Sequence, residues 1–294
     1  MLDYKLLKAL ASVVDEGGFE RAARVLHLTQ SAVSQRVKLL EEYSGQILLV
    51  RSCPPEPTEA GTRLLKHYRQ VCRLEEDLNS ELNADDSSFT TLSVGINADS
   101  LATWFLPAVR DFLTSYPVLL DLRSEDQDQT HRLLRDGNVV GCISSRSDSF
   151  QGCRCEYLGH MDYRLMANPD FRDKWFADGF TAENLSAAPM LIYNRKDEMH
   201  IAMFRRVLGH CPQLTPFYAP SSERFADFIA EGLVCGMLPE QQSGELAAQG
   251  RLVDLIPGEI VRVDLFWHCW NIESSLMNLF LRALRSGARK YLAQ

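Results

Sequence analysis

Gln30, Ser31, Ser34, Gln35 and Lys38 are the side chains of this sequence best placed to do chemistry together. At 100° per residue, Val33, Val37 and Leu40 share one face of a helix, leaving Ser31, Gln35 and Lys38 on the opposite face with Ser34 beside them. A merely solvated face would carry Glu and Lys. Small hydroxyls and amides suit a DNA major groove instead: Ser fits against the backbone, Gln donates to and accepts from a base edge, and Lys reaches a phosphate. A three-helix packing unit with a polar surface is the competing reading of the same periodicity. Catalysis has less behind it. The chain has no phosphate-binding glycine loop and no nucleophile-elbow serine. His160 and His268 stand isolated, the latter within the apolar run Phe266-Trp267-His268-Cys269-Trp270, where a core imidazole is the expectation. The chain is expected not to be an enzyme.

The recognition face needs elements to hold it. Leu7, Leu10 and Val14 predict an amphipathic helix from Asp3 to about Glu16, ended by Gly17-Gly18. Phe19, Ala22, Ala23 and Leu26 predict a short second helix, whose alanines allow close helix packing. After the turn His27-Leu28, Thr29 is the N-cap expected for a third helix running to about Tyr43. Gln30 would enter the groove early, and the helix N-terminus itself favours phosphate. Gln46 to Arg51 reads as a short strand, and the turn Pro54-Pro55-Glu56-Pro57 follows it, in the form of a wing that places Arg51 against DNA backbone or minor groove.

From Thr58 to about Leu82 one long helix is expected, with Leu64, Val71 and Leu78 every seven residues and Tyr68 and Leu82 on a second seam that Glu75 interrupts. It could dimerise or pack on its own domain. Asn83 to Ser88 reads as a polar hinge. Beyond it, strand-like runs (Thr91 to Ile96, Leu119 to Arg123, Val139 to Ser144, Tyr163 to Ala167, Met190 to Tyr193, Leu214 to Tyr218, Val234 to Leu238, Val261 to Trp267) alternate with helical stretches such as Leu101 to Thr114 and Gln129 to Arg135. That alternation predicts an α/β fold with mainly parallel strands. Asn97-Ala98-Asp99-Ser100 follows the first of these strands, so the Ser100 hydroxyl could hold a ligand carboxylate or serve as an ordinary N-cap.

A chain of 294 residues is long enough for two or three compact units. No run approaches the roughly 20 apolar residues of a membrane helix, and the N-terminus does not read as a signal peptide, so a cytoplasmic protein without membrane association is expected. Eight scattered cysteines read as reduced thiols, and the Cys153/Cys155 pair lacks the spacing of a zinc site, so no metal is expected. The net charge of −8 opposes a protein that coats nucleic acid by overall charge. Locally the balance reverses: Arg36, Lys38, Arg51, Arg63, Lys66 and Arg69 fall in one stretch, as in a DNA-reading module attached to an acidic sensor.

The run from Phe19 to Glu42, continued by Leu48-Leu49-Val50-Arg51 and Pro57-Thr58-Glu59-Ala60-Gly61, closely resembles the N-terminal signature of LysR-type transcriptional regulators, and the likeness extends over essentially the whole chain. Gly18 to Ala23, Arg51 through Thr58 and Asn97 to Trp104 resemble the branch of that family that answers to arginine and lysine. Ser52-Cys53 departs from the branch pattern. The resemblance implies an α-helical head on an α/β domain: a winged helix-turn-helix over 1–60, a linker and dimerisation helix with its hinge over 61–88, and a two-lobed effector domain over 89–294 like periplasmic solute-binding proteins. Lobe I would comprise about 89–160 and 268–294, lobe II about 161–267.

By the same resemblance Thr29, Gln30, Ser31, Ser34, Gln35, Lys38 and Arg51 form the DNA contact surface, and Ser144-Ser145 and Ser221-Ser222 face the cleft with Asn97, Asp99 and Ser100. The implied effector is L-lysine or L-arginine with no cofactor, and its cation needs a carboxylate: Asp99, Asp126, Asp197 and Glu198 are the candidates, with Tyr193 or Trp104 as a wall. The implied partners are double-stranded DNA bearing an interrupted dyad operator, further copies of the chain in a homodimer or homotetramer, and RNA polymerase, at the nucleoid. Two alternatives remain: an effector-independent DNA-bending nucleoid protein, and a regulator of a different metabolite.

Overall fold

The computed structural model describes residues 2–82, 89–124, 130–149 and 151–294. Three helices open the chain: α1 (Tyr4–Asp15), α2 (Phe19–Val25) and α3 (Gln30–Ser44). The Asp3 carboxylate caps α1 by accepting from the Lys5 amide at 2.8 Å. Leu7, Leu10, Val33 and Leu40 are fully buried between these helices, the arrangement that their helical spacing requires.

The strand expected over Gln46 to Arg51 is reduced to β1 (Leu49–Val50), which pairs antiparallel with β2 (Glu56–Pro57). The amides of Leu48 and Leu49 instead donate to the Glu41 carboxylate, and the prolines opposite supply no N–H to a longer ladder. α4 (Glu59–Leu82) follows, capped by Thr58, whose Oγ1 accepts from Gly61 N at 3.1 Å. Its heptads divide: Leu64, Leu65 and Tyr68 pack into the head, whereas Leu74, Leu78 and Leu82 stand exposed. The hinge expected at Asn83 to Ser88 lies outside the described residues.

The remainder runs β3 (Thr90–Ile96), α5 (Ala98–Ala102), α6 (Phe105–Ser115), β4 (Val118–Ser124), α7 (Thr130–Arg135), β5 (Gly141–Ser144) and β6 (Cys153–Ala167), then α8 (Pro169–Trp175), α9 (Ala182–Ala187), β7 (Pro189–Ile192), α10 (Met199–Leu208), β8 (Thr215–Tyr218) and α11 (Ser222–Ala230). It closes with β9 (Cys235–Pro239), α12 (Glu240–Ala248), β10 (Val253–Asp254), β11 (Val261–Trp270) and α13 (Ser275–Tyr291). One sheet has the order β4-β3-β5-β11-β6-β9-β7-β8, with β10 beside β6.

Parallel pairs hold each end of this sheet together: β4-β3-β5 in one lobe and β9-β7-β8 in the other. The centre is antiparallel, because β6 and β11 run side by side through both lobes, so the sheet is mixed where mainly parallel strands were expected. β6 also begins ten residues before the expected Tyr163. The ladder accommodates Gly159 through a bulge: Gly159 faces Leu265, Tyr157 faces Phe266, and Leu158 is the extra residue. The helix expected from Leu101 to Thr114 is two helices, because the chain leaves helical geometry at Thr103 to drive Trp104 into the core. α13 returns to pack on α6, with Phe280 edge-on to Phe112 at 5.4 Å between ring centres.

Candidate functional site

Two places gather the residues singled out above. On the head, Thr29 Oγ1 accepts from Ala32 N at 3.1 Å and fixes the start of α3. Gln30, Ser31, Gln35 and Lys38 are exposed along that helix, Ser34 is half-buried, and Arg51 is exposed just after β1. Among the described residues Lys38 makes a solvent-exposed ion pair with Glu42 at 3.6 Å, a contact worth well under about 1 kcal/mol and readily exchanged for a phosphate. Glu41, not among the residues expected here, also supports this surface. Its carboxylate bonds the wing backbone to α3, and nothing in its spacing distinguishes it from a solvated helix acid.

The second place is a cavity of about 600 Å³ between the lobes. Asn97, Asp99 and Ser145 line it from the β3–β5 lobe, and Tyr193, Asp197, Glu198 and Ser222 from the other. Asp99 is its most constrained acid. Oδ2 accepts from the Tyr163 hydroxyl at 2.6 Å and Oδ1 from the Ser222 hydroxyl at 2.5 Å. Burial pushes the Asp99 carboxyl above the usual carboxylate value; the hydroxyls of Ser222 and Tyr163 oppose that rise, and the charge of Asp197 adds to it. Asp197 is partly spoken for, accepting from Tyr193 N and Met199 N in its own turn. Asn97 is 1% exposed, and both polar atoms of its side chain lack a partner among the described residues, leaving a donor and an acceptor at the cavity wall.

Several expected residues lie elsewhere. Ser100 is neither the N-cap nor a lining residue: Asn97 holds the cap position, and Ser100 is inside α5, fully buried with its hydroxyl unpartnered. Ser144 is buried behind Ser145, accepting from Arg146 N at 3.2 Å. Trp104 is core, packed edge-on to Phe105, and of the two expected wall aromatics it is Tyr193 that lines the cavity. Asp126 lies outside the described residues. Tyr163, His200, Gln242 and Asp264 line the cavity without having been singled out. Gln242 supports Ser222 by donating to its carbonyl at 3.0 Å. Burial lowers the ionisation of the His200 imidazole, against the raising charges of Asp197 and Glu198. Tyr163 carried a signal for a strand only, since alternation tells which face a residue takes and not what lies across it.

Comparison with known proteins bears on both places. The family of bacterial regulatory helix-turn-helix proteins, lysR family, matches residues 4–62, and the LysR substrate binding domain matches residues 86–289. The chain is 42% identical over 293 residues to the HTH-type transcriptional regulator ArgP of Proteus mirabilis, spanning 99% of this chain and 98% of that one. The crystal structure of ArgP from Mycobacterium tuberculosis is similar over 100% of both chains, with a TM-score of 0.90 and 37% identity. Full-length LysG from Corynebacterium glutamicum with bound effector Arg is similar over the same span, with a TM-score of 0.82 and 32% identity.

Proposed function

This chain belongs to the LysR family and is a DNA-binding transcriptional regulator, not an enzyme, and from that premise we propose that it answers to a basic amino acid, L-lysine or L-arginine, held between its lobes. The observation that carries the reading is Asp99: a buried carboxylate on the cavity wall, supported by two hydroxyls and, among the described residues, by no cation. A buried carboxylate held only by hydroxyls gains most from a cationic ligand group. Asp197, Glu198 and Asp264 leave the lining with more acids than cations, against Lys196 and Arg262, and the amide of Asn97, without a partner among the described residues, suits the ligand's carboxylate or ammonium. The effector bound to LysG supports the same class.

On the head, Gln30, Ser31, Ser34 and Gln35 read bases, Thr29 and Lys38 approach phosphates, and Arg51 serves the wing. The chain acts as a homodimer or homotetramer on an interrupted dyad, contacts RNA polymerase, and works at the nucleoid in the cytoplasm. No helix among the described residues is long and apolar enough to cross a membrane.

The test is a thermal-shift panel of the twenty amino acids, followed by calorimetric titration of any that respond, because a ligand bound only by the folded state raises apparent stability by mass action. A rise confined to lysine and arginine supports the reading. A response to another metabolite, or DNA bending that no amino acid alters, replaces it.

A further inference from the structure

α4 presents different chemistry on different faces. Leu65 and Tyr68 enter the core of the head, Leu74 and Leu78 are exposed, and Lys66 and Arg69 meet the β3–β5 lobe. Arg69 touches both folded units at once. Its Nη2 donates to Asp15 Oδ1 at 2.5 Å, at the last residue of α1. Its Nη1 donates to the Gly137 carbonyl at 3.0 Å and to Asn138 Oδ1 at 2.9 Å, in the turn between α7 and β5. The side chain is 19% exposed, so the guanidinium is largely withdrawn from water, where a planar fork of donors is demanding about the placement of its acceptors.

A second observation shows how tightly the lobe is seated. Gly137 has φ +76°, and a Cβ there would stand 2.8 Å from Lys66 Cα, so the backbone of the turn rests directly on the helix. That turn leads into β5, whose end is followed at once by Ser145 on the cavity wall. A short covalent and hydrogen-bonded path therefore runs from the cavity along β5 to Asn138, then through Arg69 to Asp15.

We propose that Arg69 is the positioning residue through which the state of the cavity reaches the DNA head. The signal it carries rests on the effector reading above; the junction itself does not. A shift of about 1 Å in the 137–138 turn breaks the fork's geometry, so the head must follow the lobe or lose the bonds. Coupling of this kind is measured as the ratio of DNA affinities with and without the effector, typically about 5- to 150-fold.

The experiment uses the full chain and a duplex selected on the wild type from a random library. Duplex affinity is measured with and without L-lysine or L-arginine, amino-acid affinity by calorimetry, and amide exchange at Gly18 and Asn138, whose N–H groups bond to Val13 and Leu133. Arg69→Gln and Gly137→Val disturb the junction by different routes, and Arg69→Lys tests partial rescue. Both disruptive variants should keep amino-acid affinity within about twofold of wild type while the ratio falls to about 1 and both amides exchange about tenfold faster. A wild-type ratio in Arg69→Gln overturns the proposal whatever the exchange shows. If the wild type responds to no amino acid, the effector reading fails and exchange decides alone: faster at both amides sustains the junction, unchanged overturns it.

Discussion

Ser222 and Asp99 stand on opposite lobes and are joined by a 2.5 Å hydrogen bond, the hydroxyl donating to the carboxylate across the cavity. Ser222 opens α11 and Asp99 lies on α5, so a ligand cation that engages Asp99 also acts on the contact between the lobes. Asp99→Asn keeps the shape and can still bond Tyr163 and Ser222, but lacks the charge. It should weaken L-lysine or L-arginine by about 1.5–3 kcal/mol, roughly 10- to 150-fold, in calorimetric titration. Unchanged affinity would remove Asp99 from the site.

The same substitution has an opposite effect on stability. Burial raises the Asp99 carboxyl above its ordinary 3.8, so the folded state holds that proton more tightly than the unfolded chain. The contribution to stability is complete below 3.8 and lost as pH rises through the folded value. Without ligand, Asp99→Asn should therefore unfold at a higher temperature than wild type at pH 7, with the difference shrinking towards pH 4.

His200 titrates in the other sense. Burial lowers its imidazole below the ordinary 6.5, so the unfolded chain binds that proton more readily and stability is lost as pH falls below 6.5. His200→Phe, which keeps an aromatic against Phe204, should flatten the fall in melting temperature between pH 7 and pH 5. An identical slope would show that His200 does not titrate on unfolding.

Gly61 lies within the first turns of α4, where alanine would ordinarily gain up to about 1 kcal/mol over glycine. Here a Cβ would stand 2.1 Å from the Leu48 carbonyl oxygen. Gly61→Ala should push the wing from the helix, destabilise the head by about 1–3 kcal/mol and weaken DNA binding while leaving amino-acid affinity intact. A more stable head would show that the backbone yields.

Replacing Ser34 or Gln35 by Ala should weaken binding to the selected duplex by about 1–3 kcal/mol for each base that the side chain reads, with little change for unrelated DNA. Equal weakening on every sequence would reassign these side chains to phosphates. Leu78 is 55% exposed on α4; if copies of the chain meet there, Leu78→Glu should shift the sedimenting mass towards the monomer, whereas an unchanged mass would place the interface elsewhere.

The helices of the head were legible because their signals are local. Val33, Val37 and Leu40 define a buried face by spacing alone, and Thr29 announces the start of α3 through its own hydroxyl. The strands of the lobes were legible as apolar runs, and so was the acid-bearing segment after β3. The long extension of β6 was not, because it depends on pairing with the distant strand β11, whose ladder accommodates Gly159 through a bulge. Nor was the choice of Asn97 over Ser100 at the cavity, which follows from where α5 begins.

Short-range signals suffice for α3, its cap, the alternation of the α/β domain and the residue types available to hold a cation, all of which depend on neighbours a few positions away. Long-range packing brings Asp99 to Ser222, 123 residues distant, and Arg69 to Asp15 and Gly137, 54 and 68 residues distant. Those meetings depend on how β6 and β11 pair through the centre of the sheet and on how α4 seats against the lobe. Such long-range register is the sum of many packing interactions, and no short window of residues encodes it.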